Sequence, residues 1–269
     1  MPRLREKLGL PGNKLIGERW RARRAEPHPA PLFVFGNQKS GTTAVAGLLA
    51  AATGLSATLD FAGAAEPHIG RLYRGETSMA DFVRANAWAF SNALVKEPSL
   101  TFVAPRVMDH FGVARAVFVI REPADNIRSI LDRLKLRGDL DALDPARIDA
   151  NLTWRRQLAG LDLGFPEDHY VATLARRWRA AAEVYRGAAE RFVPMRYHEF
   201  RADRAGAVAA LAARLGLPVT ADIGAVLDRD FQRRGTPRDA REFFGAKNLA
   251  RIVNTCGEVA AELGFEIPG

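Results

Sequence analysis

The segment from Leu32 to Leu49, LFVFGNQKSGTTAVAGLL, limits the fold more than any other stretch of the chain. The apolar residues Leu32-Phe33-Val34-Phe35 read as a buried strand, Gly36 to Gly41 as a tight loop, and Thr42 onward as a helix rich in small residues. A strand that feeds a glycine-bounded loop at a helix start makes an anion cradle. The amides of the turn converge, and the helix adds its unpaired N–H groups and positive dipole end. Glycines alone would equally suit an ordinary turn that caps a helix. A lysine followed by Ser40-Gly41-Thr42-Thr43 directly after a strand argues for the cradle.

Residue order inside the loop separates one phosphate chemistry from another. The common nucleoside-triphosphate loop reads G-x-x-x-x-G-K-[ST], with its lysine after the second glycine. Gly36 and Gly41 have that spacing and Thr43 can stand at the hydroxyl position, but Thr42 occupies the lysine position. The lysine lies inside the loop, as Lys39.

GNQKSGTT resembles the 5′-phosphosulfate loop of sulfotransferases that use 3′-phosphoadenosine 5′-phosphosulfate as sulfuryl donor. The resemblance implies that Lys39 contacts the 5′-phosphate and the leaving oxygen, with Ser40, Gly41, Thr42 and Thr43 supplying further donors. Many cytosolic members carry an aromatic residue after the two threonines to stack on adenine. This chain has Ala44 there, so the adenine must be held by another group.

A second segment, ARAVFVIREPADNIRSIL (114–131), gives an independent reading. The apolar run Ala116 to Ile120 reads as a strand, and Pro123 suits the first turn of a following helix, where its missing N–H costs nothing. Arg121 leaves the strand end and Ser129 follows eight residues later. A guanidinium fork and a hydroxyl suit a doubly charged phosphate. The segment resembles the family's 3′-phosphate site, which implies that role for Arg121 and Ser129; Arg128 either assists or faces solvent. A basic, Gly/Pro-broken segment, FQRRGTPRD (231–239), resembles the family's lid over the same phosphate, with Arg233, Arg234 and Gly235 at the matching positions.

Transfer of a sulfuryl group to an alcohol needs charge neutralisation, positioning and one general base. AAEPHIGRLY (64–73) resembles the Glu-Pro-His segment of heparan-sulfate sulfotransferases, implying that Glu66 is the base and His68 supports it. LVKEPS (94–99) follows a short apolar run read as a strand over 92–95 and resembles segments that place a lysine beside the sulfuryl group. That role falls to Lys96, and Glu97 is a rival base. A Lys-Glu pair at a strand end is otherwise an exposed pair of small worth.

Later, 145–161, 168–192, 201–215 and 239–263 read as helices, with Trp154, Trp178 and Tyr185 as core residues, and 193–197 as a strand. Tyr197 resembles the family's late tyrosine near adenine. Strands alternating with helices predict a single α/β domain: a P-loop-type parallel sheet flanked by helices on both faces, over 31–269, with its ligand beyond the strands' carboxyl ends. Residues 1–30 read as a basic arm.

The chain carries a formal charge of +8, but the arm alone holds eight Lys/Arg against three Glu. The remainder is close to balanced, which argues against nucleic acid as the partner. The arm suits packing on the core, mobility, or peripheral contact with an anionic membrane through Trp20, Leu15 and Ile16. No apolar run reaches the ~18 residues of a membrane span, the N-terminal segment shows no apolar signal-peptide core, and the single Cys256 precludes an internal disulfide. These readings place the protein in the cytoplasm. The resemblance thus implies a sulfotransferase that needs no metal, with a small-molecule or glycan acceptor, a carbohydrate or other aliphatic alcohol before an amine. The oligomeric state is not legible. Two other classes stay open: a P-loop nucleotide-dependent kinase, and a non-catalytic nucleotide- or surface-binding protein on the same fold.

Overall fold

The computed structural model describes residues 25–227 and 239–267. Arg233, Arg234 and Gly235, and residues 1–24 of the basic arm, lie outside the described residues. Five strands form one parallel sheet in the order β2-β3-β1-β4-β5: β1 (Leu32–Phe35), β2 (Ala57–Leu59), β3 (Leu94–Lys96), β4 (Ala116–Ile120) and β5 (Phe192–Arg196). The described helices are α1 (Thr42–Thr53), α2 (His68–Tyr73), α3 (Met79–Ala85), α4 (Ala87–Phe90), α5 (Ala104–His110), α6 (Pro123–Leu134), α7 (Leu152–Leu158), α8 (Tyr170–Gly187), α9 (Tyr197–Ala202), α10 (Arg204–Arg214), α11 (Gly224–Leu227) and α12 (Ala240–Glu262).

Helices cover both faces of the sheet, which is why its strands read as continuous apolar runs instead of alternating ones. Phe33, Phe35, Phe118 and Ile120 enter one core with residues of α6, α8 and α12, and their neighbours Val34, Val117 and Val119 enter a second core with α1 and α10. Period-two alternation along each strand sorts the side chains between the two. The α/β parallel architecture expected from the sequence is the one observed.

Several boundaries differ from the sequence expectation. The stretch 145–161 yields only a 3₁₀ turn and the short α7, and α8 stops at Gly187. The third strand ends on Lys96 and the fifth on Arg196, so Tyr197 opens a helix. The helix expected over 201–215 is split at Asp203, whose carboxylate accepts from the Gly206 amide and caps α10. Trp178 is buried as expected, whereas Trp154 and Tyr185 pack against the core only in part. Of the arm, residues 25–30 are described, and the His28 amide donates to the Phe90 carbonyl at 2.8 Å. Among the described residues, no helix is long and apolar enough to cross a membrane.

Sheet register brings the chemistry together. Val34 pairs with Lys96 and Phe35 with Phe118, so the loop after β1 emerges between the carboxyl ends of β3 and β4. Ile120 pairs with Arg196, so the next residues, Arg121 and Tyr197, leave the sheet side by side. Strand order reverses on either side of β1, which puts the loop at the switch point where open α/β sheets bind ligands.

Candidate active site

The loop is built around two glycines that no other residue can replace without strain. Gly36 has φ 141°, and a Cβ there would lie 2.5 Å from the Val119 carbonyl oxygen. Gly41 has φ 96°, and its Cβ would strike the Tyr197 ring at 2.5 Å. Between them Lys39 adopts φ 66°, a left-handed conformation that a side-chain-bearing residue holds only when its surroundings enforce it. The enforcing group is Arg121, whose Nη1 donates to the Lys39 carbonyl at 2.6 Å.

Gly41 is the residue before α1, and no side chain among the described residues caps that helix; its first turn contains no acidic residue. The positive dipole end of α1 thus meets no acidic cap among the described residues, the setting in which a helix start attracts an anion. Ser40, Thr42 and Thr43 are buried around that start. Two glycines, a lysine, three hydroxyl residues and an uncapped helix start form a donor set that fits a phosphate or sulfate group.

Arg121 is buried and held from several sides. Its Nε meets Asp125 at 2.7 Å, its guanidinium lies 4.2 Å from the centroid of the Tyr197 ring, and its own carbonyl accepts from Trp178 Nε1 at 2.9 Å. Burial alone would raise the Asp125 carboxyl, but hydrogen bonds and charge from Arg121 and Arg128 outweigh it and hold it below the usual range. Arg128 is buried too, paired to Asp125 at 2.5 Å and Asp132 at 2.8 Å, so it does not face solvent. Ser129 lies half-buried on α6.

The Lys39 amine is pushed down from 10.5 to about 8, first by burial and then by the charges of Arg121, Arg133 and Lys96. Cations crowded around a buried lysine in this way mark a place suited to an anion. Lys96 is 1% exposed and pairs with Asp60 at 2.5 Å.

Glu97 is buried behind Lys96 and acts as a backbone cap: Oε1 accepts from Ser99 N at 3.0 Å and Oε2 from Phe61 N at 3.3 Å. Burial raises its carboxyl from 4.5 to about 7, helped by Asp60 and opposed by Lys96 and the Ser99 amide. Glu66 has a different environment. Its side chain is 1% exposed, Oε2 lies 3.3 Å from Arg156 Nε, and Oε1 has no hydrogen-bond partner among the described residues. Burial raises its carboxyl as well, against the opposing charge of Arg156. His68 is exposed at the start of α2.

A buried polar chain runs from this carboxylate region to the loop. Asp162, one of the charges that raise Glu66, pairs with Arg177, which is 1% exposed. Arg177 Nε donates to Gln38 Oε1 at 3.1 Å, and its guanidinium lies 4.4 Å from the Phe102 ring centroid. Tyr73, pushed upward by burial, donates to the Ser99 carbonyl at 2.5 Å.

Lys39, Lys96, Arg121 and Tyr197 therefore gather at the carboxyl edge of the sheet, as their positions after apolar runs implied. Sequence reasoning passed over Asn37, Gln38, Thr101, Asn126 and Arg177, which hold the loop. One signal was available for Arg177: it falls on the apolar stripe of α8 between Leu174 and Ala181, where an arginine has to be compensated.

No protein-family model and no curated protein sequence matches the chain. Its fold does recur in solved structures. Sulfotransferase STF9 from Mycobacterium avium superposes with a TM-score of 0.54 at 14% identity, covering 94% of this chain and 81% of that one. A sulfotransferase from Alicyclobacillus acidocaldarius gives 0.46 at 18% identity (84% and 94% covered), and the sulfotransferase domain from the curacin biosynthetic pathway 0.49 at 12% (90% and 100%). At such identities the likeness is one of fold, and STF9 carries it: this chain has the α/β fold of that sulfotransferase.

Proposed function

We propose that the protein is a sulfotransferase that moves a sulfuryl group from 3′-phosphoadenosine 5′-phosphosulfate to a hydroxyl acceptor, a carbohydrate or other aliphatic alcohol. The observation that carries this reading is the Lys39–Arg121 junction. A loop lysine, absent from the triphosphate position after Gly41, is held by the arginine that closes the neighbouring strand. Room for one anion at the loop and for a second near Arg121 and Ser129 would suit an adenosine with phosphates at both 5′ and 3′ positions.

The donor supplies the sulfuryl group, and the chain's residues bind anions, hold charge and take up one proton. Lys39 and the α1 amides neutralise charge that grows on the departing 5′-phosphate oxygen as its bond to sulfur breaks. Lys96, already paired to Asp60, adds charge from beneath. Glu66 takes the proton of the acceptor hydroxyl as the new S–O bond forms. Its unfilled Oε1 favours it over Glu97, whose two oxygens are occupied by backbone amides. Tyr197 stacks on Arg121 and covers Gly41, so its support for adenine would act at the edge of that stack.

Isothermal titration with 3′-phosphoadenosine 5′-phosphate and with ATP tests the reading. Binding of the bisphosphate and not of ATP is expected. The reverse preference would point to a kinase and overturn the sulfotransferase reading. Bisphosphate binding without turnover of labelled donor over a panel of sugar and alcohol acceptors would point to a non-catalytic binding protein.

A further inference from the structure

Asn126 is 0% exposed on α6, and all its side-chain bonds go to the phosphate loop. Its Nδ2 donates to the Gln38 carbonyl at 2.9 Å and to Ser40 Oγ at 3.1 Å, and its Oδ1 accepts from Asn37 Nδ2 at 2.9 Å. Three points of the loop, at Asn37, Gln38 and Ser40, are thus fastened to one amide. Lys39, between the last two, is the residue with the left-handed backbone.

The same helix governs the second anion site. Asp125, adjacent to Asn126, holds Arg121 at 2.7 Å, and Ser129 lies three residues beyond Asn126, on the same helical face. Only a carboxamide fits this post. A carboxylate cannot donate to the Gln38 carbonyl, and an aliphatic side chain would leave the carbonyl and the Asn37 amide buried without partners.

We propose that Asn126 is a positioning residue that sets the register between the phosphate loop and the Arg121–Ser129 site, and so selects ligands carrying phosphates at both ends of the adenosine. The proposal rests on the sulfotransferase reading for the identity of the ligand, though not for the anchoring of the loop.

Asn126→Ala should be compared with wild type by titration with three probes: adenosine 3′,5′-bisphosphate, adenosine 5′-monophosphate and adenosine 3′-monophosphate. Loss of the loop's fastening should weaken the bisphosphate and the 5′-monophosphate about tenfold or more, and the 3′-monophosphate by less than about twofold. Equal loss for all three would indicate general structural damage and overturn the proposal, as would unchanged affinities. Should the variant not fold, Asn37→Ala removes one of the three bonds from the loop side and should give the same pattern with a smaller loss; affinities equal to wild type would again overturn it.

A ligand-free measurement keeps the two ideas apart. Lys39 is one of six lysines, so ¹³C-methylated amines can be titrated individually by NMR. In Asn126→Ala the Lys39 signal should titrate above the wild-type value of about 8, towards the ordinary 10.5, as the loop relaxes into solvent. If wild type rejects the bisphosphate, the sulfotransferase reading fails and the lysine signal alone judges Asn126: an unmoved titration overturns the anchor.

Discussion

Arg121 Nη1 donates to the main-chain oxygen of Lys39 across 2.6 Å, joining residues 82 positions apart at the ends of adjacent strands. The bond uses the arginine to shape the loop as well as to supply charge. It holds Lys39 in a left-handed conformation, while Asp125 and the Tyr197 ring fix the guanidinium from two other sides.

Arg121→Lys should therefore fail as a conservative change. An ammonium cannot meet Asp125, the Lys39 carbonyl and an aromatic face in one geometry. Bisphosphate affinity should fall on the order of 100-fold, equivalent to one or two lost hydrogen bonds from a charged donor. Titration calorimetry measures this, and a loss below about threefold would show that the charge alone suffices.

Glu66→Gln separates chemistry from binding. Turnover should drop by about 10²–10⁴, the usual contribution of a general base, with bisphosphate affinity unchanged. Single-turnover assays with labelled donor read the first and calorimetry the second. Unchanged turnover would remove Glu66 and direct attention to Glu97.

Donor binding should depend on pH through Lys39. Its amine titrates at about 8 in the free protein, and a bound anion raises that value, so binding favours the protonated form. Affinity is then full below pH 8 and falls above it, approaching about one log unit per pH unit. Lys39→Met should bind weakly with no such slope, and a wild-type affinity that is flat from pH 7 to 9.5 would count against the assignment.

Glu97 should leave a signature in stability. Its carboxyl is raised from 4.5 to about 7 in the folded state, so the folded protein keeps a proton that the unfolded chain releases. The stabilisation is full below pH 4.5 and lost as pH rises through 7. The Tm of wild type relative to Glu97→Gln should fall as pH rises across that window in thermal melts, whereas a constant difference would mean that the carboxyl is not raised.

The buried Arg177–Asp162 pair gives a prediction about the core. Arg177→Met leaves the Asp162 carboxylate buried without its partner and should destabilise the fold by about 3–5 kcal/mol. Adding Asp162→Leu should recover much of that loss, and denaturant unfolding of the single and double variants measures both.

The Leu32–Phe35 strand, the Gly36–Gly41 loop and the helix from Thr42 were legible because each depends on local chemistry: an apolar run, glycines at positive φ, and small residues on a packed helix. The strand Ala116–Ile120 and the proline-led start of α6 were legible for the same reason. Helix ends were less so. The segment 145–161 has apolar spacing for one helix, yet tertiary packing breaks it into a 3₁₀ turn and the short α7, whose Thr153 hydroxyl accepts from the Glu66 amide.

By itself the sequence determined that a glycine-bounded loop follows the first strand, that its lysine stands inside the loop, and that an arginine closes a later strand. Only the tertiary structure decided what those residues do to each other. Register set Arg121 beside Tyr197 and within reach of the Lys39 carbonyl, and Asn126 and Arg177 were drawn to Asn37, Gln38 and Ser40. The physical reason is that buried polar groups must find partners, and those partners are chosen by the packing of helices on a sheet, across separations along the chain that no local pattern records.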